Sequence, residues 1–79
     1  MSPRAILING FDFFFYSKEE ARRHIHVEKG ENVAKFWLEP IIEIAYNYGF
    51  NSREIKFIIQ TVTENEREIN DKWNSHFCK

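Results

Sequence analysis

Residues 24–38 read HIHVEKGENVAKFWL, and this stretch decides the fold. Apolar and polar side chains alternate on both sides of Gly30, which is typical of β-strands with one buried face. The pattern predicts strands over 24–28 and 33–38, joined as a hairpin at Gly30. A two-stranded hairpin is marginal on its own, so other parts of the chain must pack against its apolar face.

The polar positions of this hairpin carry the most informative side chains. His24 and His26 alternate with apolar residues, so both imidazoles emerge on the same face of their strand. Pairing about Gly30 brings Lys35 and Trp37 onto that face. The sequence therefore predicts an open patch formed by four residues: His24, His26, Lys35 and Trp37.

Two interpretations of the patch differ in function. In the first, His24 and His26 are structural residues that are solvated or hydrogen-bonded. In the second, one of them is a general acid or base acting on an RNA 2′-hydroxyl, while Lys35 or Arg23 holds phosphate. Trp37 would then be a base-stacking residue, or an anchor for a protein partner.

A third interpretation is a metal site at the histidine pair. His-x-His supplies two ligands, whereas a metal site requires three or four. Glu28 or His76 would have to complete the set, and neither has a spacing that argues for this role. We therefore predict no metal and no cofactor.

The remainder of the chain completes an α+β pattern. Asn9-Gly10 is a strong two-residue hairpin turn, and the apolar period changes from two to about 3.6 after Pro40. Asn51 and Glu54 have capping-box spacing. The other predicted elements are strands 5–8 and 11–16, a short helix over 41–48 and a long helix over 52–77. We expect a small, mostly antiparallel sheet of about four strands, with both helices on one face.

The second half also has the spacing of a helix-turn-helix. Ala45, Gly49 and Ile55 occupy the usual positions of that DNA-binding motif. Arg53 is the candidate nucleic-acid or partner contact in its second helix. The acidic residues that follow this helix weaken the DNA-binding interpretation.

Composition narrows the class of protein. The 79 residues predict a single domain, 1–79, with 16% aromatic residues to build a dense core. The net charge of −1 argues against strong attraction of the whole molecule to nucleic acid. One cysteine, Cys78, forms no disulfide within the chain, and no apolar run approaches a membrane span. A cytoplasmic protein is expected.

Several segments together resemble a family of small bacterial proteins, domain of unknown function 4160. The resemblance runs nearly end to end. It is carried by FFFYS at 13–17, HIHVEKG at 24–30, AKFWLEP at 34–40, GFNSRE at 49–54 and the ending at 73–77. The family commonly has Pro just before the first histidine, whereas this chain has EARR at 20–23.

The resemblance implies a small α+β domain. It also implies a neighbouring second gene, in an arrangement suggestive of toxin–antitoxin pairs. We expect the protein to be one component of such a module. Its expected role is that of a toxin that acts on RNA through His24 and His26. The alternative is a non-catalytic module that binds protein or DNA, through the same sheet face or through a helix-turn-helix. A small partner protein encoded nearby and RNA are the expected partners.

Overall fold

A computed structural model describes residues 4–16 and 22–77. The described chain forms a five-stranded antiparallel sheet, in which the strands are neighbours in sequence order, followed by two helices. The α+β class is therefore confirmed, with one strand more than expected. The strands are β1 (Arg4–Ile8), β2 (Phe11–Phe14), β3 (His24–Lys29), β4 (Asn32–Trp37) and β5 (Glu43–Tyr48), and the helices are α1 (Ser52–Glu64) and α2 (Glu66–Phe77).

Short turns join β1 to β2 and β3 to β4. Asn9 and Gly10 have φ angles of 51° and 82°, as expected for the tight hairpin between β1 and β2. Gly30 has φ 62° in the turn between β3 and β4. The sequence therefore predicted both hairpins correctly.

The predicted helix over 41–48 is wrong, because residues Glu43–Tyr48 form the edge strand β5. The helical spacing was misleading because Ile41, Ile44 and Tyr48 are all exposed, so they form no buried stripe. Backbone pairing with β4 holds the segment instead, with a bulge that interrupts the register. The helix-turn-helix interpretation falls with this correction, since its first helix does not exist.

The long helix predicted over 52–77 is divided at Asn65. The first helix begins with the capping box that the spacing of Asn51 and Glu54 predicted. The Glu54 amide donates to Asn51 Oδ1 at 2.8 Å, and the Asn51 amide donates to Glu54 Oε1 at 3.0 Å. Asn65 ends α1, and its side-chain amide donates to the Thr61 carbonyl at 2.8 Å. Asparagine favours such local bonds over helix continuation, so α2 begins as a separate helix.

The buried side chains form one cluster between the helices and one face of the sheet. The apolar residues that alternate with the polar ones around Gly30 are all buried: Ile25, Val27, Ala34, Phe36 and Leu38. The helices supply Ile58, Val62, Ile69 and Trp73 to this cluster. Burial of each large side chain contributes about 1.5–3 kcal/mol. We call the sheet side that contacts the helices the inner face and the opposite side the outer face.

In the described part of the chain, neither helix is long and apolar enough to cross a membrane. Cys78, the single cysteine of the chain, lies outside the described residues.

Candidate functional site

Strand register places three rows of side chains on the outer face. Residues directly opposite each other in antiparallel strands project to the same side of the sheet. The first row is Arg4, Phe14, His26, Lys35 and Tyr46. The second row is Leu7, Asp12, Glu28, Val33 and Tyr48. The third row is His24, Trp37 and Glu43.

The structure brings the predicted patch together. His24 lies opposite Trp37, and His26 lies opposite Lys35, as pairing about Gly30 requires. The ring centroids of His24 and His26 are 5.3 Å apart, and those of His24 and Trp37 are 5.6 Å apart. Alternation along the strand was therefore sufficient to group these four side chains.

The expectation that the histidines lie on an open surface is wrong. His24 is 0% exposed and His26 is 5% exposed. The Tyr16 ring lies 4.4 Å from His26, and Trp73 of α2 lies 5.2 Å from His24. Both covering side chains come from outside the β3–β4 hairpin, so strand alternation could not reveal them.

The surroundings of His24 also determine which of its ring nitrogens carries a proton. Its Nδ1 atom lies 2.7 Å from the Arg22 carbonyl oxygen. A carbonyl oxygen can only accept a hydrogen bond, so Nδ1 carries the proton. This contact and the surrounding rings hold the imidazole in one orientation.

Trp37 is half-buried and already in contact with two cations. The Arg22 guanidinium and the Lys35 ammonium each lie 4.3 Å from the centre of a Trp37 ring. Such contacts stabilise a cation over an aromatic ring. An incoming nucleic-acid base would have to compete with these cations for the ring, which weakens the base-stacking role predicted for Trp37.

Arg22 is the cation that sequence reasoning missed. Its Nη2 atom lies 2.9 Å from Glu43 Oε1, and its Nε donates to the Glu39 carbonyl at 2.8 Å. These contacts tie the entry of β3 to the segment leading into β5. The Arg-Arg pair before His24 was a visible signal, but it did not indicate which arginine faces Trp37.

The phosphate candidate Arg23 is engaged with an acidic residue. Its backbone amide donates to Glu39 Oε2 at 2.8 Å, and its guanidinium lies 3.4 Å from Glu39 Oε1. Its positive charge is therefore largely balanced within the chain.

Arg53 does not join the patch. It lies in the first turn of α1 and lines a cleft of about 280 Å³, together with Lys29 and the inner-face residue Phe11. This cleft is near the Gly30 end of β3, whereas His24 begins the strand. Arg53 and the histidines therefore do not belong to one site.

The outer face holds exposed side chains that sequence reasoning did not identify. Leu7 is 56% exposed and Tyr48 is 66% exposed, at opposite ends of the second row. Asp12 and Glu28 lie opposite each other between them. A hydrogen bond from Arg4 to Asp12, together with their charges, raises the pKa of Arg4. Correct pairing of all five strands was needed to find this row.

A metal site finds no support among the described residues. Residues 4–16 and 22–77 contain no group of three or more His, Cys, Asp or Glu side chains placed to hold a metal ion. His24 Nδ1 donates to the Arg22 carbonyl oxygen, so this nitrogen of the histidine pair is not a free metal ligand.

Comparison with known proteins identifies one family. The family described as "Domain of unknown function (DUF4160)" matches residues 10–74, which is most of the chain. No curated protein and no solved structure matches this chain.

Proposed function

Because this chain belongs to the DUF4160 family, whose description assigns no activity, we propose from its geometry that it is a non-catalytic interaction protein. It binds a small partner protein through the outer face of the sheet. The observation that carries this proposal is an apolar and aromatic surface on the outer face of the sheet, beyond the His24 end that Trp73 of α2 covers. Its members are Leu7, Phe14, Tyr16, Val33, Trp37, Tyr46 and Tyr48. An apolar surface of this kind marks an interaction site.

The composition of the outer face favours a protein over RNA. Tyr, Trp, Phe and Arg are the residues enriched at protein interfaces. The formal charges on this face sum to zero, since the cations Arg4, Arg22 and Lys35 equal the carboxylates Asp12, Glu28 and Glu43 in number. An RNA-binding face requires an excess of positive charge to neutralise phosphates.

The proposed partner is the product of a neighbouring gene, within a toxin–antitoxin-like module in the cytoplasm. Support comes from the gene arrangement that the family resemblance implies. In such a module the two proteins bind each other, and a preformed surface on one of them lowers the cost of association.

A toxin that acts on RNA is the second candidate function. One observation favours it: His26 lies opposite Lys35, so an acid–base group and a phosphate-binding group are adjacent. The 5% exposure of His26 argues against it, because a general base must come within hydrogen-bond reach of its substrate. His24 and His26 remain the residues to test for this function.

Co-expression with the product of the adjacent gene tests the interaction. We expect a complex that survives gel filtration with the wild-type chain and is lost with the Leu7→Ser/Tyr48→Ser variant. Ile41→Ser is the matched control, because Ile41 is 67% exposed but lies outside the three rows. A complex that is unaffected by the double substitution would contradict the proposed surface.

Induction of the chain alone tests the RNA-acting candidate. Growth and RNA integrity are followed for the wild type and for His26→Gln, with circular dichroism confirming that the variant folds. Growth arrest with RNA cleavage that disappears in folded His26→Gln would favour the toxin. Equal growth and intact RNA in both strains are expected if the chain is an interaction module.

A further inference from the structure

The second row of the outer face has an unusual charge distribution. Exposed apolar groups occupy its two ends, at Leu7 on β1 and Tyr48 on β5. Two carboxylates, Asp12 and Glu28, lie opposite each other at its centre. Glu28 is on the middle strand of the sheet, so its carboxylate lies midway between the Leu7 and Tyr48 ends of the row.

The two carboxylates differ in how their charge is balanced. Like charges directly opposite each other destabilise a sheet. Asp12 accepts from the Arg4 guanidinium at 2.9 and 3.3 Å. Among the described residues, Glu28 has no ion pair or side-chain hydrogen bond, and Lys35 lies over Trp37 instead. The fold therefore leaves one exposed carboxylate uncompensated within an apolar row.

We propose that the protein partner presents a Lys or Arg side chain to Glu28 and Asp12, flanked by apolar side chains that contact Leu7 and Tyr48. This inference rests on the proposed function and specifies the chemistry of the partner. A carboxylate covered by a purely apolar partner would lose its hydration without compensation, which costs affinity. A cation from the partner restores the balance and can bridge both carboxylates, most effectively as the forked guanidinium of Arg.

The carboxylates of Asp12 and Glu28 also disfavour binding of negatively charged partners. A nucleic-acid phosphate placed over this row would meet two carboxylates and be repelled. An acidic protein would be excluded for the same reason, so Glu28 is a specificity residue as well as a contact.

The size of the row determines a suitable probe. Neighbouring strands are about 4.8 Å apart, so five strands span about 19 Å from β1 to β5. A helix of about 12 residues has a length of about 18 Å, and an extended chain of that length covers more. A library of random dodecapeptides displayed on phage is therefore the probe, selected against the full chain.

We expect the selected peptides to carry Lys or Arg between apolar residues and to bind at physiological salt. Glu28→Gln should weaken the binding of the synthesised peptides by about tenfold or more, because it removes the central charge. Glu31→Gln is the matched control, since Glu31 is exposed in the Gly30–Glu31 turn, next to the end of β3. In a charge exchange, Glu28→Lys should restore binding to a peptide whose basic residue is replaced by Glu.

The outcomes separate this inference from the proposed function. Selected peptides without a basic residue, bound through Tyr48 and indifferent to Glu28→Gln, would overturn the charge inference and leave the binding surface standing. Selected peptides that bind equally well to Leu7→Ser/Tyr48→Ser would contradict the surface itself. An absence of selected peptides would contradict both proposals. Binding of a labelled single-stranded oligouridine that Glu28→Gln strengthens and Tyr48→Ser weakens would overturn the proposal and assign the face to RNA instead.

Discussion

Removal of the His24 imidazole should destabilise the fold strongly. The ring is fully buried and contacts His26, Trp37 and Trp73. Its Nδ1 also donates to the Arg22 carbonyl. His24→Ala loses these ring contacts and the hydrogen bond and leaves a cavity, for a combined cost of about 3 kcal/mol.

That cost is large for this chain. A protein of 79 residues has a free energy of unfolding of about 4–12 kcal/mol. At about 4–8 °C per kcal/mol, a loss of 3 kcal/mol lowers Tm by about 12–24 °C. Urea titration followed by circular dichroism measures the change, with Asn74→Ala on the exposed side of α2 as the control. A loss below about 0.5 kcal/mol for His24→Ala would refute the structural role of the ring, because surface substitutions produce changes of that size.

Four further substitutions test the fold and the outer face separately. Gly49→Ala should cost about 2 kcal/mol or more in urea titration, since a Cβ would contact the Asn32 side chain and φ is +111°. Gly30→Ala should cost only about 1 kcal/mol, because no atom lies within 4 Å of its Cβ position, and equal losses at the two glycines would contradict this reasoning. Asn51→Ala should lower the free energy of unfolding by about 1 kcal/mol through loss of the cap, and an unchanged value would show that the cap is dispensable. Tyr48→Ser should change stability by less than about 0.5 kcal/mol, and a larger loss would mean that the exposed ring supports the fold.

Local patterns predicted the parts of the fold that depend on neighbours in sequence. The alternation around Gly30 was enough to pair His24 with Trp37, because hairpin register follows from the turn. The cap at Asn51 was visible for the same reason, since its partner is three residues away. These features require no knowledge of distant contacts.

The features that local patterns missed depend on distant contacts. His24 is buried partly by Trp73, which lies 49 positions later in the chain, so no pattern within the hairpin could show the covered surface. The strand at Glu43–Tyr48 forms because β4 offers a free edge, and an exposed edge strand needs no buried stripe. The long helix is divided at Asn65, where the side-chain amide bonds to the Thr61 carbonyl oxygen. Such a side-chain bond competes only weakly with helix propagation, so the sequence did not predict the break.

Nuclear magnetic resonance mapping of the complex with the adjacent gene product tests the central claim most directly. Amide shifts of the ¹⁵N-labelled chain are followed as the unlabelled partner is added. We expect the largest changes on the outer face of β1 to β5, around Leu7, Glu28 and Tyr48, with small changes along the exposed side of α1. Changes centred on α1 and α2, with the outer face unaffected, would contradict it.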